Sequence, residues 1–311
     1  MSGSGLDATV VVATYNRRDH VATCVRCLLE QDYPHDRYEV VVVDDGSTDG
    51  TDERIAQLAS TGPVGYLRQA ECRGQGSARN LGIRAARGAI VIFVDSDAFA
   101  PPWFVGEHVT THASAPGRIV DGPAINVGGA DLLVRPRFDM LRVRSLAFLD
   151  LFGASFVTVN ASCARGDLEA VGGFDETFGA HYGWEDVELG ARLQERGLGR
   201  IRNRRAYVLH HRAAGSLVQA GRKEEECGAN AVRFYRKHPT AQVLKSIHAG
   251  RLGHDRLLAR LGLPPDRVER ICLDGGRGGW RRRLLSRAYL VQQYARGLRR
   301  GMRECEISLP R

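Results

Sequence analysis

The chain contains two short apolar runs that end in carboxylates, Val40-Val41-Val42-Val43-Asp44-Asp45 and Ile90-Val91-Ile92-Phe93-Val94-Asp95-Ser96-Asp97. Runs this rich in Val and Ile predict strands of a parallel sheet that is covered on both faces. In open α/β sheets, ligands bind outside the carboxyl ends of the strands. Neighbouring carboxylates repel one another there unless a cation offsets their charge. Because carboxylate and phosphate oxygens suit magnesium and manganese, the two runs predict a site for a divalent metal that carries a phosphate group.

The segments around these runs alternate between strand-like and helix-like patterns. Strands are predicted at 9–13, 39–43, 64–68 and 89–94, and helices at 20–31, 51–60 and 77–87. This βαβαβ alternation predicts a mostly parallel sheet with right-handed crossovers. Further strands are predicted at 119–121, 156–160 and 207–209, and a further helix at 185–196 with Gly197 as its stop signal.

Beyond residue 211 only helices are predicted, at 224–235, 241–263 and 280–302. The sequence therefore predicts an α/β catalytic domain over residues 1–212 and a helical, basic C-terminal region over residues 213–311.

The composition is that of an ordinary globular protein of 311 residues, with 43% hydrophobic and 26% charged residues. No apolar stretch is long enough for a membrane span, and the first residues do not resemble a signal peptide. The seven cysteines are scattered, which indicates reduced thiols and a cytoplasmic protein. Cys24 and Cys27 form a Cys-x-x-Cys pair, but no second pair stands at zinc-site spacing, so we expect buried thiols.

Five motifs occur in a fixed order along the chain. They are VVVATYNR at 10–17, VDDGSTD at 43–49, GQGSARNLG at 74–82, DSD at 95–97 and GGFDE at 172–176, the last leading into GWED at 183–186. Through this ordered set the chain resembles the inverting glycosyltransferases of family 2, over roughly residues 7–212. The resemblance implies the α/β GT-A fold, a Rossmann-like nucleotide-binding sheet fused to an acceptor-binding subdomain. It also implies a nucleotide-sugar donor and a divalent metal, Mn²⁺ or Mg²⁺.

The resemblance further assigns roles to the acidic residues after the fourth strand. It implies that Asp97 binds the metal, and that Asp95 binds the donor ribose or the metal through water. Family members often place a histidine at the end of a later strand, where it completes the metal shell. His210 is favoured for this position, with His211 as the open alternative.

The remaining donor contacts implied by the resemblance lie on the first three motifs and on the last. They are Thr14, Tyr15, Arg17, Asp45, Arg79 and Trp184. Tyr15 is expected to line the base pocket and Asp45 to receive the base or the ribose, while the guanidinium of Arg79 suits a diphosphate oxygen. The alternatives are a core-packing Tyr15 and a surface ion pair for Arg79.

The GWED motif is expected to supply the acceptor side of the site. The resemblance implies that Asp186 is the general base, that Glu185 holds an acceptor hydroxyl, and that a sugar ring lies against Trp184. The alternative for both acids is simple stabilisation of a helix N-terminus, where negative side chains are favoured.

Two questions about partners follow from the charge and the fold. The net charge is +8, and a basic helix at 280–302 combines arginines with an apolar stripe, which is typical of a helix on an anionic membrane surface. The alternative is that the stripe packs on the catalytic domain.

Nucleic acid is not expected as a partner, because the basic tail lacks interleaved aromatic residues. A catalytically inactive GT-A-like nucleotide-sugar-binding or scaffold protein is the alternative to a sugar transferase.

Overall fold

The computed structural model describes residues 5–129, 131–134, 136–138, 156–179, 181–211, 216–253, 260, 264, 267–268, 270–271 and 280–309. Its strands are β1 (Ala8–Thr14), β2 (Tyr38–Asp44), β3 (Val64–Arg68), β4 (Ile90–Val94), β5 (Ala98–Phe99), β6 (Arg118–Asp121), β7 (Ala124–Val127), β8 (Asn160–Ala164), β9 (Gly199–Arg202) and β10 (Val208–His211). Its α-helices are α1 (Arg18–Leu29), α2 (Thr51–Ala59), α3 (Gln75–Ala85), α4 (Phe104–Ser114), α5 (Asp131–Val134), α6 (Arg165–Ala170), α7 (Glu185–Glu195), α8 (Leu217–Lys237), α9 (Ala241–Ser246) and α10 (Trp280–Glu304). Two compact units result, one of Met1–Ala180 and Asp186–Ala213, the other of His181–Glu185 and Ala214–Arg311.

The first unit is built on a seven-stranded sheet with the order β3-β2-β1-β4-β8-β6-β9. The pairs β3–β2, β2–β1, β1–β4 and β6–β9 are parallel, whereas β8 runs antiparallel to β4 and to β6. The predicted mostly parallel sheet is therefore confirmed. A second, three-stranded sheet has the order β5-β10-β7. Of its strands the sequence predicted only the one at 207–209, observed as β10, and the pairing of β10 with β5 and β7 was not predicted.

The sheet is covered on both faces, as the apolar runs predicted. Along β1, Val10 and Val12 face one buried cluster, which includes residues of α1, while Val11 faces a second cluster on the other side. Successive side chains of a strand point to opposite faces, so a continuous apolar run supplies both clusters. Cys24 and Cys27 lie buried in α1, and burial raises the pKa of Cys27 to about 12. Both are thiols of the core, as expected.

Two sequence predictions about elements are wrong in detail. The strand predicted at 156–160 begins only at Asn160, as β8; Phe156 precedes it and is buried with its ring centroid 5.8 Å from that of Phe93. Phe156 is therefore part of the core, although the segment around it is not a strand. The helix predicted at 241–263 ends at Ser246, and His248, with φ 50°, interrupts the helical backbone before the 3₁₀ turn Ala249–Gly253. Most of the remaining predicted range lies outside the described residues.

The basic helix α10 packs against α8 within the second unit. A Cβ at Gly297 would lie 1.9 Å from the carbonyl oxygen of Glu225, so the two helix backbones approach closely. The buried stripe of α10 includes Tyr289, Tyr294, Ala295 and Leu298. Arg300 forms an ion pair with Glu225 at 3.1 Å. This arrangement favours the packed helix over the membrane-surface helix, with α8 as its packing partner. None of the helices in the described part of the chain is both long and apolar enough to cross a membrane.

A buried polar network joins α4 to β8. Nδ1 of His108 and Nε2 of His112 both lie 2.8 Å from the hydroxyl oxygen of Ser162, and Nε2 of His108 lies 3.1 Å from Oδ1 of Asn160. Because Oδ1 of Asn160 can only accept, Nε2 of His108 carries the proton. The hydroxyl of Ser162 then donates to His108 and accepts from His112. The network is satisfied only while His108 is neutral, because a protonated Nδ1 could not accept the hydrogen bond from Ser162.

We expect this network to make the fold sensitive to mild acid. Burial lowers the pKa of His108 to about 3 and that of His112 to about 4, below the ordinary 6.5. The unfolded chain therefore binds more protons, so stability is full above pH 6.5 and falls as the pH drops toward the folded pKa values. By pH 5 the free energy of unfolding should fall by about 2 kcal/mol per histidine.

Urea unfolding at pH 7.5 and at pH 5.0 measures this difference. His112→Gln keeps a side-chain N–H donor for Ser162 but cannot titrate, so the difference in unfolding free energy between the two pH values should shrink by the share of His112, about 2 kcal/mol. Identical pH dependence in the wild type and this variant would show that His112 does not contribute.

Candidate functional site

Three side chains with metal-binding chemistry meet at the carboxyl edge of the parallel strands. Ligand atoms of Asp95, Asp97 and His210 lie within 4.8 Å of one another. The two carboxylates follow β4 directly, and β10 brings His210 to them because it pairs antiparallel with β5, in the register His210↔Ala98. Nε2 of His210 lies 3.3 Å from Oδ1 of Asp97. Two carboxylates and an imidazole are a donor set that suits Mn²⁺, so these residues fit the implied metal.

The neighbouring histidine points away from this cluster. Nδ1 of His211 lies 3.1 Å from Nε2 of His20, and Nε2 of His211 lies 3.0 Å from the carbonyl oxygen of Gly129. Adjacent side chains of a strand face opposite sides, so only one of the two histidines can face the carboxylates. Of the two histidines, His210 is the one that lies beside Asp97, and its role at a metal stays a prediction.

Asp97 is held in its ionised form. Burial by itself would raise the pKa of Asp97, but the hydrogen bond with His210 and the positive charge of Arg17 outweigh it, so the pKa falls to about 2. A charged carboxylate with a pKa this low does not need to lose a proton before it binds a cation at neutral pH.

Each of the two carboxylates in the cluster forms an ion pair with an arginine. Nη1 of Arg17 pairs with Oδ2 of Asp97, and Nη2 of Arg79 lies 3.0 Å from Oδ1 of Asp95. The side chain of Arg79 is only 4% exposed; it also donates to Gln75 at 2.8 Å. The side chain of Arg17 is 40% exposed. The alternative for Arg79 was an ion pair on the surface. The structure shows an ion pair with Asp95, but Arg79 is buried, and it orients the carboxylate of Asp95.

Asp45 anchors the loop that precedes α3. Its carboxylate accepts hydrogen bonds from four groups, namely Nε2 of Gln69 at 2.7 Å, the backbone N–H groups of Arg73 at 2.8 Å and Gly74 at 2.9 Å, and the Cys72 thiol at 3.1 Å. These bonds explain why a carboxylate is only 4% exposed here. A direct contact between Asp45 and a nucleotide stays a prediction, since the observed partners belong to the protein.

The end of β1 presents an exposed ring beside a buried hydroxyl. Tyr15 is 47% exposed, which excludes the alternative that it packs in the core. Asn16 ties this turn to the loop after β2, because its Oδ1 accepts from the backbone of Thr48 at 2.8 Å. Thr14 is 4% exposed, and its Oγ1 has no hydrogen-bond partner among the described residues. Tyr15 is therefore accessible to a ligand at this edge.

Asp186 lies in the first turn of α7 and belongs to the first unit. Its carboxylate accepts from the backbone N–H of Thr158 at 3.3 Å and from that of Val187 at 2.8 Å. Thr158 stands two residues before Asn160, which pairs with Val94 at the carboxyl end of β4. The register therefore places Asp186 at the sheet edge from which Asp95 and Asp97 project.

The residues before Asp186 belong to the second unit and are held by α8. Trp184 adopts a left-handed backbone with φ 77°, which is uncommon for a residue other than glycine. Its ring stacks on that of Phe234 at 5.3 Å between centroids, and Asn230 donates to the carbonyl oxygen of Gly183 at 3.0 Å. Glu185 is 8% exposed. One face of Trp184 is thus covered by Phe234, so the predicted sugar contact can use only the other face.

The comparisons with known proteins agree with this geometry. Residues 9–159 match the family model described as glycosyl transferase family 2. A validoxylamine A glucosyltransferase from Streptomyces hygroscopicus subsp. jinggangensis (strain 5008) is 30% identical over 270 residues, which are 75% of this chain and 61% of that protein. The chain belongs to glycosyl transferase family 2.

Solved structures show that this family 2 chain has the GT-A fold. The mannosyltransferase PcManGT from Pyrobaculum calidifontis, solved in complex with GDP-Man and Mn²⁺, superposes with a TM-score of 0.63 at 21% identity, covering 96% of this chain and 87% of that one. Residues 1–349 of S. aureus TarS, in complex with UDP-GlcNAc, give a TM-score of 0.55 at 16% identity, covering 98% and 93%. At these identities the likeness establishes the fold alone.

Sequence reasoning missed several contacts of the predicted site residues in this family 2 chain. It assigned Arg17 to the donor only, and not to the metal-candidate carboxylate that it contacts. It also missed Asn230 and Phe234, which hold the segment before Glu185. No local signal marks these residues, because their partners lie far away in the sequence. A buried Asn inside a helix becomes informative only once the fold is known.

Proposed function

We propose that this chain is an inverting, metal-dependent glycosyltransferase, which moves a sugar from a nucleoside-diphosphate donor to an acceptor hydroxyl. The observation that carries the proposal is the cluster of Asp95, Asp97 and His210 at the carboxyl edge of the sheet. Family membership supports the same reaction class. The chain spans 61% of the length of the relative described above.

The donor half of the mechanism rests on charge. Asp97 and His210 would hold a divalent metal, with Asp95 as a further ligand or as the partner of the donor ribose. When bound there, the metal would offset the charge that develops on the leaving diphosphate. Arg79 keeps Asp95 in place, and Tyr15 offers an exposed ring on which the nucleotide base can lie.

The acceptor half of the mechanism rests on a second carboxylate. Asp186 would take the proton from the attacking hydroxyl, while Glu185 would hold an acceptor hydroxyl. Two backbone N–H groups fix the carboxylate of Asp186 at the sheet edge, so a base at this position is oriented before the substrate arrives. Direct attack on the anomeric carbon inverts its configuration. A product with the anomeric configuration of the donor, detected by NMR, would contradict this part of the proposal.

The similar proteins support a nucleotide-sugar donor. Among the similar structures, one contains GDP-Man with Mn²⁺ and another contains UDP-GlcNAc, and the Streptomyces relative is named a glucosyltransferase. We propose a UDP-sugar first, with GDP- and dTDP-sugars as the alternatives. The acceptor would be a carbohydrate, a lipid-linked molecule or a small molecule.

A catalytically inactive nucleotide-sugar-binding or scaffold protein is the competing function. A protein of that kind has no need for a base, yet this chain has both the donor-side carboxylates and the acids Glu185 and Asp186. The retention of both halves favours the enzyme.

A donor screen tests the proposal. The full chain is incubated with UDP-glucose, UDP-GlcNAc, GDP-mannose or dTDP-glucose and Mn²⁺, and release of the nucleoside diphosphate is measured. We expect slow hydrolysis of one donor without any acceptor, and its loss when EDTA is added. Donor binding in calorimetry without hydrolysis or transfer to any acceptor would instead support the inactive binding protein.

A further inference from the structure

The two arginines of the carboxylate cluster differ in how firmly they are held. Arg79 is almost fully buried, is fixed by Gln75 and lies with its guanidinium carbon 5.6 Å from the ring centre of Phe174. The side chain of Arg17 is ten times as exposed, 40% against 4%. One arginine is thus a fixed part of the site, whereas the other can exchange its partner.

Arg17 contacts the same carboxylate that is the candidate metal ligand. Its guanidinium pairs with Oδ2 of Asp97, while His210 lies against Oδ1 of the same carboxylate. A divalent cation at Asp97 would lie close to the positive charge of Arg17, and two cations that share one carboxylate repel each other. Metal binding and the Arg17–Asp97 pair therefore compete.

We propose that Arg17 is an exchangeable counter-ion: it neutralises Asp97 in the empty site, is displaced when the metal binds, and then pairs with the donor diphosphate. This inference rests on the proposed function and concerns the order of events at the same site. A guanidinium released from a carboxylate needs a new anionic partner, and the diphosphate supplies oxygens that suit its paired N–H groups.

The local backbone allows this exchange without a change of fold. Arg17 directly precedes α1. Its neighbour Asn16 forms two hydrogen bonds with the loop after β2: its backbone N–H donates to Oγ of Ser47 at 2.8 Å, and its Oδ1 accepts from the backbone N–H of Thr48 at 2.8 Å. The backbone is therefore anchored while the long side chain can change rotamer. The exchange also makes the binding of the metal and the binding of the donor positively cooperative, because the diphosphate stabilises the displaced arginine.

Calorimetry on Arg17→Gln separates this role from a merely structural one. With Mn²⁺ alone, the variant should bind the metal about tenfold more tightly than the wild type, because no cation competes for Asp97. With UDP or GDP at saturating Mn²⁺, the variant should bind the nucleotide roughly tenfold more weakly, because the second partner of Arg17 is lost. Loss of a structural contact would weaken both equilibria.

Arg18→Gln is the matched control. It removes the same charge one residue away, from a side chain that is 51% exposed and pairs with Asp19, so neither equilibrium should change appreciably. Equal Mn²⁺ affinities in the wild type and Arg17→Gln would overturn the exchange and leave the proposed function intact. Tighter Mn²⁺ binding with unchanged nucleotide affinity would overturn the diphosphate half. Failure of both proteins to bind Mn²⁺ with or without nucleotide would overturn the metal site itself.

Discussion

Asp97→Asn is expected to lower sugar transfer by about a thousandfold and to abolish the gain in nucleoside-diphosphate affinity that Mn²⁺ provides. Asp97 is charged at neutral pH, because its contacts with His210 and Arg17 hold its pKa at about 2 despite its burial. An amide of the same size keeps one acceptor oxygen but carries no charge, so it is a much poorer ligand for a hard cation. The loss should therefore appear in metal-dependent binding as well as in turnover.

The measurement is a calorimetric titration of both proteins with UDP and with GDP, each with and without Mn²⁺. Asp19→Asn is the control, since Asp19 is 68% exposed and its removal changes the net charge by the same amount. Affinities that depend on Mn²⁺ equally in wild type and Asp97→Asn would remove Asp97 from the site, whatever happens to turnover.

The edge of the sheet could be predicted from the sequence because its signals are local. The runs that end at Asp44 and Val94 are apolar on both faces, and the acidic residues follow them directly, so strand and site residue are seen in one window. The ordered motifs then identify the family. The mostly parallel sheet and its carboxyl edge follow from features that lie within a few residues of one another, whereas the GT-A fold was implied by the resemblance that the ordered motifs carry.

Long-range pairing explains what the sequence could not specify. Whether His210 or His211 faces the carboxylates depends on the register of β10 against β5, a strand of two residues. The pair of Arg17 and Asp97 joins residues 80 positions apart. Contacts of this kind leave no periodic pattern in the sequence. Arg17 was therefore predicted to contact the donor, whereas in the structure it contacts Asp97.

Asp45 illustrates a second limit of prediction. A carboxylate after a strand was expected to meet the nucleotide, yet its oxygens accept bonds from a loop that begins 24 positions later. The sequence correctly marked the position as special, but a structural anchor and a ligand contact require the same residue type. The observed hydrogen bonds show that Asp45 is an anchor, while its contact with a nucleotide stays a prediction.

Asp186→Asn is expected to lower turnover by roughly a hundredfold to ten-thousandfold, the usual effect of removing a general base, while donor affinity stays near that of the wild type. The amide can still accept one of the backbone hydrogen bonds from Thr158 and Val187, so the start of α7 should keep its position. It cannot take a proton from an acceptor hydroxyl. The defect should therefore lie in the rate of transfer and not in binding of UDP or GDP with Mn²⁺.

Glu185→Gln is the informative partner variant, because Glu185 is the adjacent acid and is assigned to an acceptor hydroxyl. It should raise the KM for the acceptor more than it lowers kcat, whereas Asp186→Asn should show the reverse pattern. Near-normal transfer by Asp186→Asn, together with a collapse of kcat in Glu185→Gln, would exchange the two roles. If both variants retain near-normal kcat, neither acid is the base, and the capping alternative for the start of α7 holds for both.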